Sequence, residues 1–160
     1  MIMTALLTPG IIFPLIRIRC LWCGCLPTTS GTGSEVSPNA ILLDRAEKLK
    51  KGLVSPYLLC DAAYIDPMLT LTVPAKITAE TGMDALTHAV ECYLNLYYNT
   101  PFSRALARGA VVDIFRYLEA AYNDGGDLEA RSKLLRASFD AGAAFTRVSV
   151  GNVHAAAHTL

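Results

Sequence analysis

Apolar positions change their spacing near residue 71. Before that point, short β-prone runs alternate with turn signals. Asn39–Asp44 is one such run, and Tyr57–Ile65, closed by Asp66 and Pro67, is another. The charged stretch Asp44–Lys51 separates them, and Gly52 ends it. After Pro74 the period becomes helical. Met83, Leu86, Val90, Tyr93, Leu94 and Tyr97 predict the apolar face of a first helix, closed by Asn99, Thr100 and Pro101. Its opposite face carries Asp84, Thr87, His88, Glu91 and Asn95. A second helix is expected from about Ser103 to Tyr122, with Leu106, Ala110, Ile114, Tyr117, Leu118 and Ala121 as its stripe. Asn123–Gly126 breaks the pattern, and Asp127 is a natural N-cap for a third helix bearing Leu128, Leu134, Leu135, Ala141 and Phe145. A fourth begins near Gly151 or Asn152 and reaches Leu160 without a C-terminal glycine. That ending predicts a fragment, or a truncated reading, of a longer chain.

Composition narrows the function classes. A chain of 160 residues, 52% hydrophobic and 18% charged, suits one domain with a proper core. Fourteen basic residues balance fourteen acidic ones, so no global field draws in nucleic acid or an anionic membrane. A small-molecule partner is the better expectation. Cys20, Cys23 and Cys25 cluster, while Cys60 and Cys92 stand alone. No second pair follows at zinc-site spacing, so these read as buried or incidental thiols of a reducing, cytoplasmic compartment. The apolar start, Met1–Ile16, is interrupted by Pro9, Gly10 and Pro14, and its arginines, Arg17 and Arg19, follow it. That order predicts neither an export signal nor a membrane span.

Two short patterns carry candidate chemistry. Asp84 and His88 stand four residues apart, which stacks a carboxylate and an imidazole on one helix face, as a divalent metal requires. His154 and His158 repeat that spacing, and these two pairs hold all three histidines. The competing reading of the first pair is the solvated side of an amphipathic helix. Gly82, a poor helix former one turn upstream, predicts close backbone approach there. The flank Ala155–Ala157 leaves the last helix little of its own to bury. The second pattern is Pro27–Glu35, where glycines and hydroxyls can approach phosphate or ribose oxygens. It is neither a dinucleotide fingerprint nor a P-loop, and a plain polar turn competes with the ligand-binding reading. Ser30, Ser34 and Ser37 lie in no nucleophile elbow.

Together these residues resemble the iron-containing (group III) alcohol dehydrogenase family. Pro27–Val36, Asp66-Pro67 followed by Thr81–Glu91, and Gly151–His158 carry the resemblance, in that order, across residues 27 to 160. It implies the end of an α/β dinucleotide-binding domain (27–70) joined to the first helices of an all-α metal-binding domain (71–160), with residues 1–26 matching poorly. It implies Asp84, His88 and His154 as metal ligands and His158 as a proton relay beside the nicotinamide. Thr28, Thr29, Ser30, Gly31, Thr32, Asn39 and Lys50, or its neighbour Lys51, would contact the cofactor. The cofactors implied are Fe2+ or Zn2+ with NAD or NADP.

The reaction implied is hydride transfer between a small alcohol and its aldehyde or ketone, the metal acting as Lewis acid on the substrate oxygen. A homo-oligomer is a candidate assembly. The family's glycine-rich phosphate loop and its fourth ligand, a further histidine, have no counterpart in these residues. Full activity is therefore not expected of this stretch alone, and strands 40–43 and 57–65 are expected to lack sheet partners. Two alternatives stay open: a maleylacetate reductase or hydroxyacid–oxoacid transhydrogenase on the same scaffold, and a non-catalytic remnant.

Overall fold

The computed structural model describes residues 22–45, 49–149 and 151–157. Its first part is a small strand assembly. β1 (Gly24–Cys25) pairs in parallel with β4 (Ala62–Ala63), while β2 (Asn39–Asp44) and β3 (Leu49–Val54) form an antiparallel hairpin with Ile41 opposite Gly52. Four helices follow: α1 (Ala75–Leu94), α2 (Pro101–Asn123), α3 (Leu128–Val148) and the short α4 (Asn152–Ala157). An α/β segment therefore precedes an all-α one.

Two sequence expectations fail in the strand region. The charged run before Gly52 is not a spacer, because Leu49–Val54 is β3 and supplies the partner that β2 was expected to lack. Cross-strand pairing overrides the low strand propensity of Lys50 and Lys51, and Lys51 Nζ reaches Asp44 Oδ2 at 2.7 Å. Tyr57–Ile65 is not a continuous strand either. Pro56–Leu58 forms a 3-10 turn, with the Ser55 hydroxyl accepting the Tyr57 N–H at 3.3 Å. Proline lacks the ladder donor, so pairing resumes only at Ala62, beside the Asp61 N–H bond to the Cys23 carbonyl at 2.8 Å.

α3 buries its predicted stripe apart from Leu128, which is exposed, and α2 buries Ala110, Ile114 and Ala121 while Leu106, Tyr117 and Leu118 pack half-buried against the core. Asp127 caps α3 by accepting the Ala130 N–H at 2.9 Å. α1 differs. Its buried positions are Thr78, Gly82, Ala85, His88, Ala89 and Cys92, whereas Met83, Val90, Tyr93 and Leu94 are exposed and Tyr97 lies beyond the helix. Only Leu86 of the predicted face packs against the core. The reason is the closeness of the neighbours. Ala85 and Ala89 of α1 meet Ala110, Ile114 and Ala121 of α2 and Ala130, Leu134, Ala137 and Ala141 of α3 in one cluster. Small side chains on all three helices let the helices approach, and that approach excludes large ones.

Asn99, Thr100 and Pro101 were expected to close the first helix, and Asn99 does so by donating its side-chain amide to the Cys92 and Tyr93 carbonyls at 2.8 and 3.1 Å, while Thr100 and Pro101 open the second. The Thr100 hydroxyl accepts the Ser103 N–H at 3.1 Å and the Ser103 hydroxyl accepts the Thr100 N–H at 2.9 Å, a capping box. α1 ends at Leu94, where the Asn95 side chain accepts the Tyr97 N–H at 2.9 Å and donates to the Val148 carbonyl at 3.2 Å. Arg131, 2% exposed, closes the far end of the bundle. Its guanidinium donates to the Gly125 and Val73 carbonyls at 3.1 and 3.0 Å and to the Thr78 hydroxyl at 2.7 Å.

The strand part docks on α3 through two glycines. Gly33 has φ 58°, and a Cβ on Gly142 would lie 2.9 Å from the Gly33 Cα and 2.8 Å from Val36 Cγ2. Thr146 Oγ1 adds a bond to the Val36 carbonyl at 3.0 Å. Gly142→Ala is therefore expected to lower stability by about 1–3 kcal/mol through overpacking, read as a drop in the denaturation midpoint. Between those contacts sits Glu35, 6% exposed, with Oε1 lacking any partner among the described residues. Burial raises its carboxyl pKa above the ordinary 4.5, against a smaller opposing pull from its own backbone N–H. A group raised in this way supports the fold below about 4.5 and loses that contribution as pH climbs through the raised value. Glu35→Gln should thus melt above the wild type at neutral pH, and the gap should close as the pH falls to 4.5.

Candidate metal centre

Asp84, His88 and Glu91 follow one another at four and three residues along α1, so all three side chains share a face. Small-residue packing draws that face inward, and His88 is only 6% exposed. Its ring is sandwiched, 4.4 Å from the Phe145 ring of α3 on one side and 4.4 Å from His154 of α4 on the other, both nearly parallel. Phe145, expected only as core, is thus also a wall of the site. Burial pushes the His88 pKa below its ordinary 6.5 and His154 pushes the same way, against opposing pulls from Asp84 and the Gly31 backbone. The imidazole is therefore held neutral, with a lone pair to offer.

Each remaining contact converges on the same point. His88 Nδ1 lies 4.0 Å from Asp84 Oδ2, and His154 Nε2 lies 3.5 Å from Asp84 Oδ1. The ligand atoms of Asp84, His88 and His154 all fall within 4.8 Å of one another. Among the described residues His88 Nδ1 is buried without a hydrogen-bond partner, the kind of orphan atom that a cation relieves. Two imidazoles and one carboxylate are also a donor set suited to Fe2+ or Zn2+. The residues present fit such an ion. Among the described residues the cysteines add no second cluster of this kind.

On its outer side, His154 Nδ1 contacts Glu91 Oε2 at 2.5 Å, and Glu91 also accepts the Gly151 and Val153 N–H groups at 2.9 and 2.6 Å. Burial alone would raise the Glu91 pKa, but the Gly151 N–H, the His154 ring and the Val153 N–H together hold it below the usual value. The sequence pattern placed Glu91 on the polar face without giving it a role. Its position seven residues after Asp84 was the available signal.

The Pro27–Glu35 loop presses on α1 one turn before Asp84. A Cβ on Gly31 would lie 2.6 Å from Thr81 Cβ and 2.9 Å from the Thr81 carbonyl oxygen. The close backbone approach expected at Gly82 is therefore made at Gly31. Gly82 itself gives room to a Leu118 methyl, which a Cβ would meet at 2.4 Å. A cleft of about 810 Å³ opens beside the cluster, with Thr32 and Asn39 on its strand-side wall and Asp84, His88, Phe145 and His154 on the helical one. Thr28, Thr29, Ser30 and Gly31 do not line that cleft, Ser30 and Gly31 being buried. Lys50 pairs with Leu43 in the hairpin, and His158 lies outside the described residues.

Known proteins share this arrangement of elements. Residues 78–160 match the model of the Fe-containing alcohol dehydrogenase family, C-terminal, and residues 12–67 match that of iron-containing alcohol dehydrogenase. The chain is 44% identical over 138 residues to 1-propanol dehydrogenase PduQ of Citrobacter freundii, covering 86% of this chain and 37% of that one. It is 43% identical over 155 residues to the probable alcohol dehydrogenase EutG of Escherichia coli, covering 97% and 36%. The crystal structure of sulfoacetaldehyde reductase from Bifidobacterium kashiwanohense in complex with NAD+ superposes with a TM-score of 0.81 at 40% identity, over 84% of this chain and 36% of that one. The chain thus spans little more than a third of the length of such relatives. With both family models matched in order and the helical one covering residues 78–160, the chain belongs to the iron-containing alcohol dehydrogenase family.

Proposed function

We propose that this chain is the central portion of a metal-dependent oxidoreductase that transfers a hydride between a small alcohol and NAD(P). In this reading residues 27–70 end the dinucleotide-binding domain and 71–160 begin the helical one. The observation that carries it is the convergence of Asp84, His88 and His154 within 4.8 Å, on the same cleft as Thr32 and Asn39. Support also comes from the names of the relatives, which are alcohol dehydrogenases, and from the NAD+ complex of the reductase.

Asp84, His88 and His154 would hold Fe2+, or Zn2+, which supplies Lewis acidity toward a substrate oxygen. The chain's own residues do the rest. Asp84 brings the negative charge that a dication needs, and burial keeps His88 unprotonated and therefore able to bind. Phe145 covers the far face of the His88 ring and excludes water from it. Thr32 and Asn39 line the opposite wall, where a nicotinamide nucleotide would lie against the cleft. Thr28, Thr29, Ser30, Gly31 and Lys50 are assigned to the same cofactor. His158, four residues beyond His154, is assigned the proton relay.

The test uses the full chain with and without metal. Zn2+ or Fe2+ at about 100 times its Kd should stabilise the wild type by about 2.7 kcal/mol, reversibly on chelation. Asp84→Asn and His154→Ala should abolish that gain. With the metal-loaded chain, any alcohol-dependent reduction of NAD+ should disappear in the same variants. Wild-type metal stabilisation that survives Asp84→Asn would overturn the ligand assignment.

A further inference from the structure

Glu91 has no part in the ligand set, yet its side chain is only 9% exposed and its carboxylate reaches the start of α4. It stands in the last turn of α1, where the helix dipole disfavours an anion. An acidic side chain at that position needs a reason, and three donors converging on it supply one. Oε1 accepts the Val153 N–H, while Oε2 accepts the Gly151 N–H and faces His154 Nδ1.

An ionised carboxylate only accepts hydrogen bonds, so the proton in the shortest of these contacts belongs to the imidazole. With Nδ1 carrying the proton, a neutral His154 keeps its lone pair on Nε2, the atom that faces Asp84 at 3.5 Å. The His88 ring, stacked 4.4 Å away, fixes the plane of the imidazole, and the Glu91 contact fixes which nitrogen turns outward.

We propose that Glu91 is a positioning residue: it locks His154 as the Nδ1–H tautomer, aims Nε2 at the metal position, and seats residues 151–154 on α1 through the same carboxylate. This rests on the metal reading above. Outer carboxylates of this kind act through the ligand's basicity and orientation, and their loss typically weakens metal binding on the order of 10–100-fold.

The experiment is performed on the full chain, metal-free and with Co2+ as the probe. Ring nitrogen resonances of His154 should report the Nδ1–H tautomer in the wild type. In Glu91→Gln an amide N–H2 replaces one acceptor oxygen, so the signals should move to the Nε2–H form or to an exchanging mixture. Co2+ affinity should fall on the order of 10–100-fold, with a changed visible spectrum.

A wild-type His154 protonated on Nε2 would overturn the proposal without any variant. So would an unchanged tautomer in Glu91→Gln, even with weakened Co2+ binding, because that outcome leaves Glu91 as a structural anchor only. Asp84→Asn separates the two readings: it should abolish Co2+ binding while leaving the His154 tautomer intact. If Asp84→Asn binds Co2+ normally, the metal assignment fails independently of the Glu91 result.

Discussion

The close approach of α1, α2 and α3 on small side chains is the constraint from which the site follows. Ala89 of α1, Ala107 and Ala121 of α2, and Ala141 and Ala144 of α3 are all at 0% exposure. Surfaces so smooth bring the helices together and leave few voids, at a cost in stability for any added methylene. On α1 the buried row runs Thr78, Gly82, Ala85, Ala89, Cys92, and His88 is adjacent to it. An imidazole placed there is carried to the edge of the contact, where Phe145 covers one face and α4 delivers His154 to the other. The burial that keeps His88 unprotonated is thus a consequence of alanine packing rather than a separate device.

That constraint also explains which features the sequence revealed. The stripes of α2 and α3 were legible because each includes large apolar residues, such as Ile114, Leu134 and Leu135, among the buried positions. The face of α1 was not, because ranking positions by hydrophobic bulk selects Met83, Val90 and Tyr93, which the close neighbours exclude. A count of small residues at three- and four-residue spacing would have found Gly82, Ala85, Ala89 and Cys92. β3 was hidden for a related reason: its lysines look like a solvated run until β2 provides a register. In the site, the pairing of Asp84 with His88 is local and readable as helical spacing. Bringing His154 to them spans more than sixty residues, and only the resemblance to a family anticipated it.

Two long polar side chains bracket the bundle, and both are satisfied largely by backbone groups. At one end Arg131 donates to the carbonyls of Gly125 and Val73, tying the start of α3 to the entry of α1. At the other, Glu91 accepts from the N–H groups of Gly151 and Val153, tying the end of α1 to the entry of α4. Alanine surfaces supply little angular specificity because they lack shape. Buried hydrogen bonds restore it, since a displaced helix would leave a charged group unpaired at a cost of several kcal/mol. The sequence offers no periodic signal for such residues, whose partners are main-chain atoms far away.

His88 is where three separate pieces of chain meet. The loop around Gly31 lies against α1 one turn upstream, with its backbone beside the imidazole. α3 contributes Phe145, and the segment after Val148 contributes His154. The loop that belongs to the strand part and the candidate ligands that belong to the helical part therefore share a single buried side chain. The loop that carries Thr32 packs closely on both α1 and α3, for a Cβ on Gly31 would meet Thr81 and one on Gly142 would meet Gly33 and Val36. The strand-side wall of the cleft and the cluster of Asp84, His88 and His154 are in this way positioned by one set of contacts.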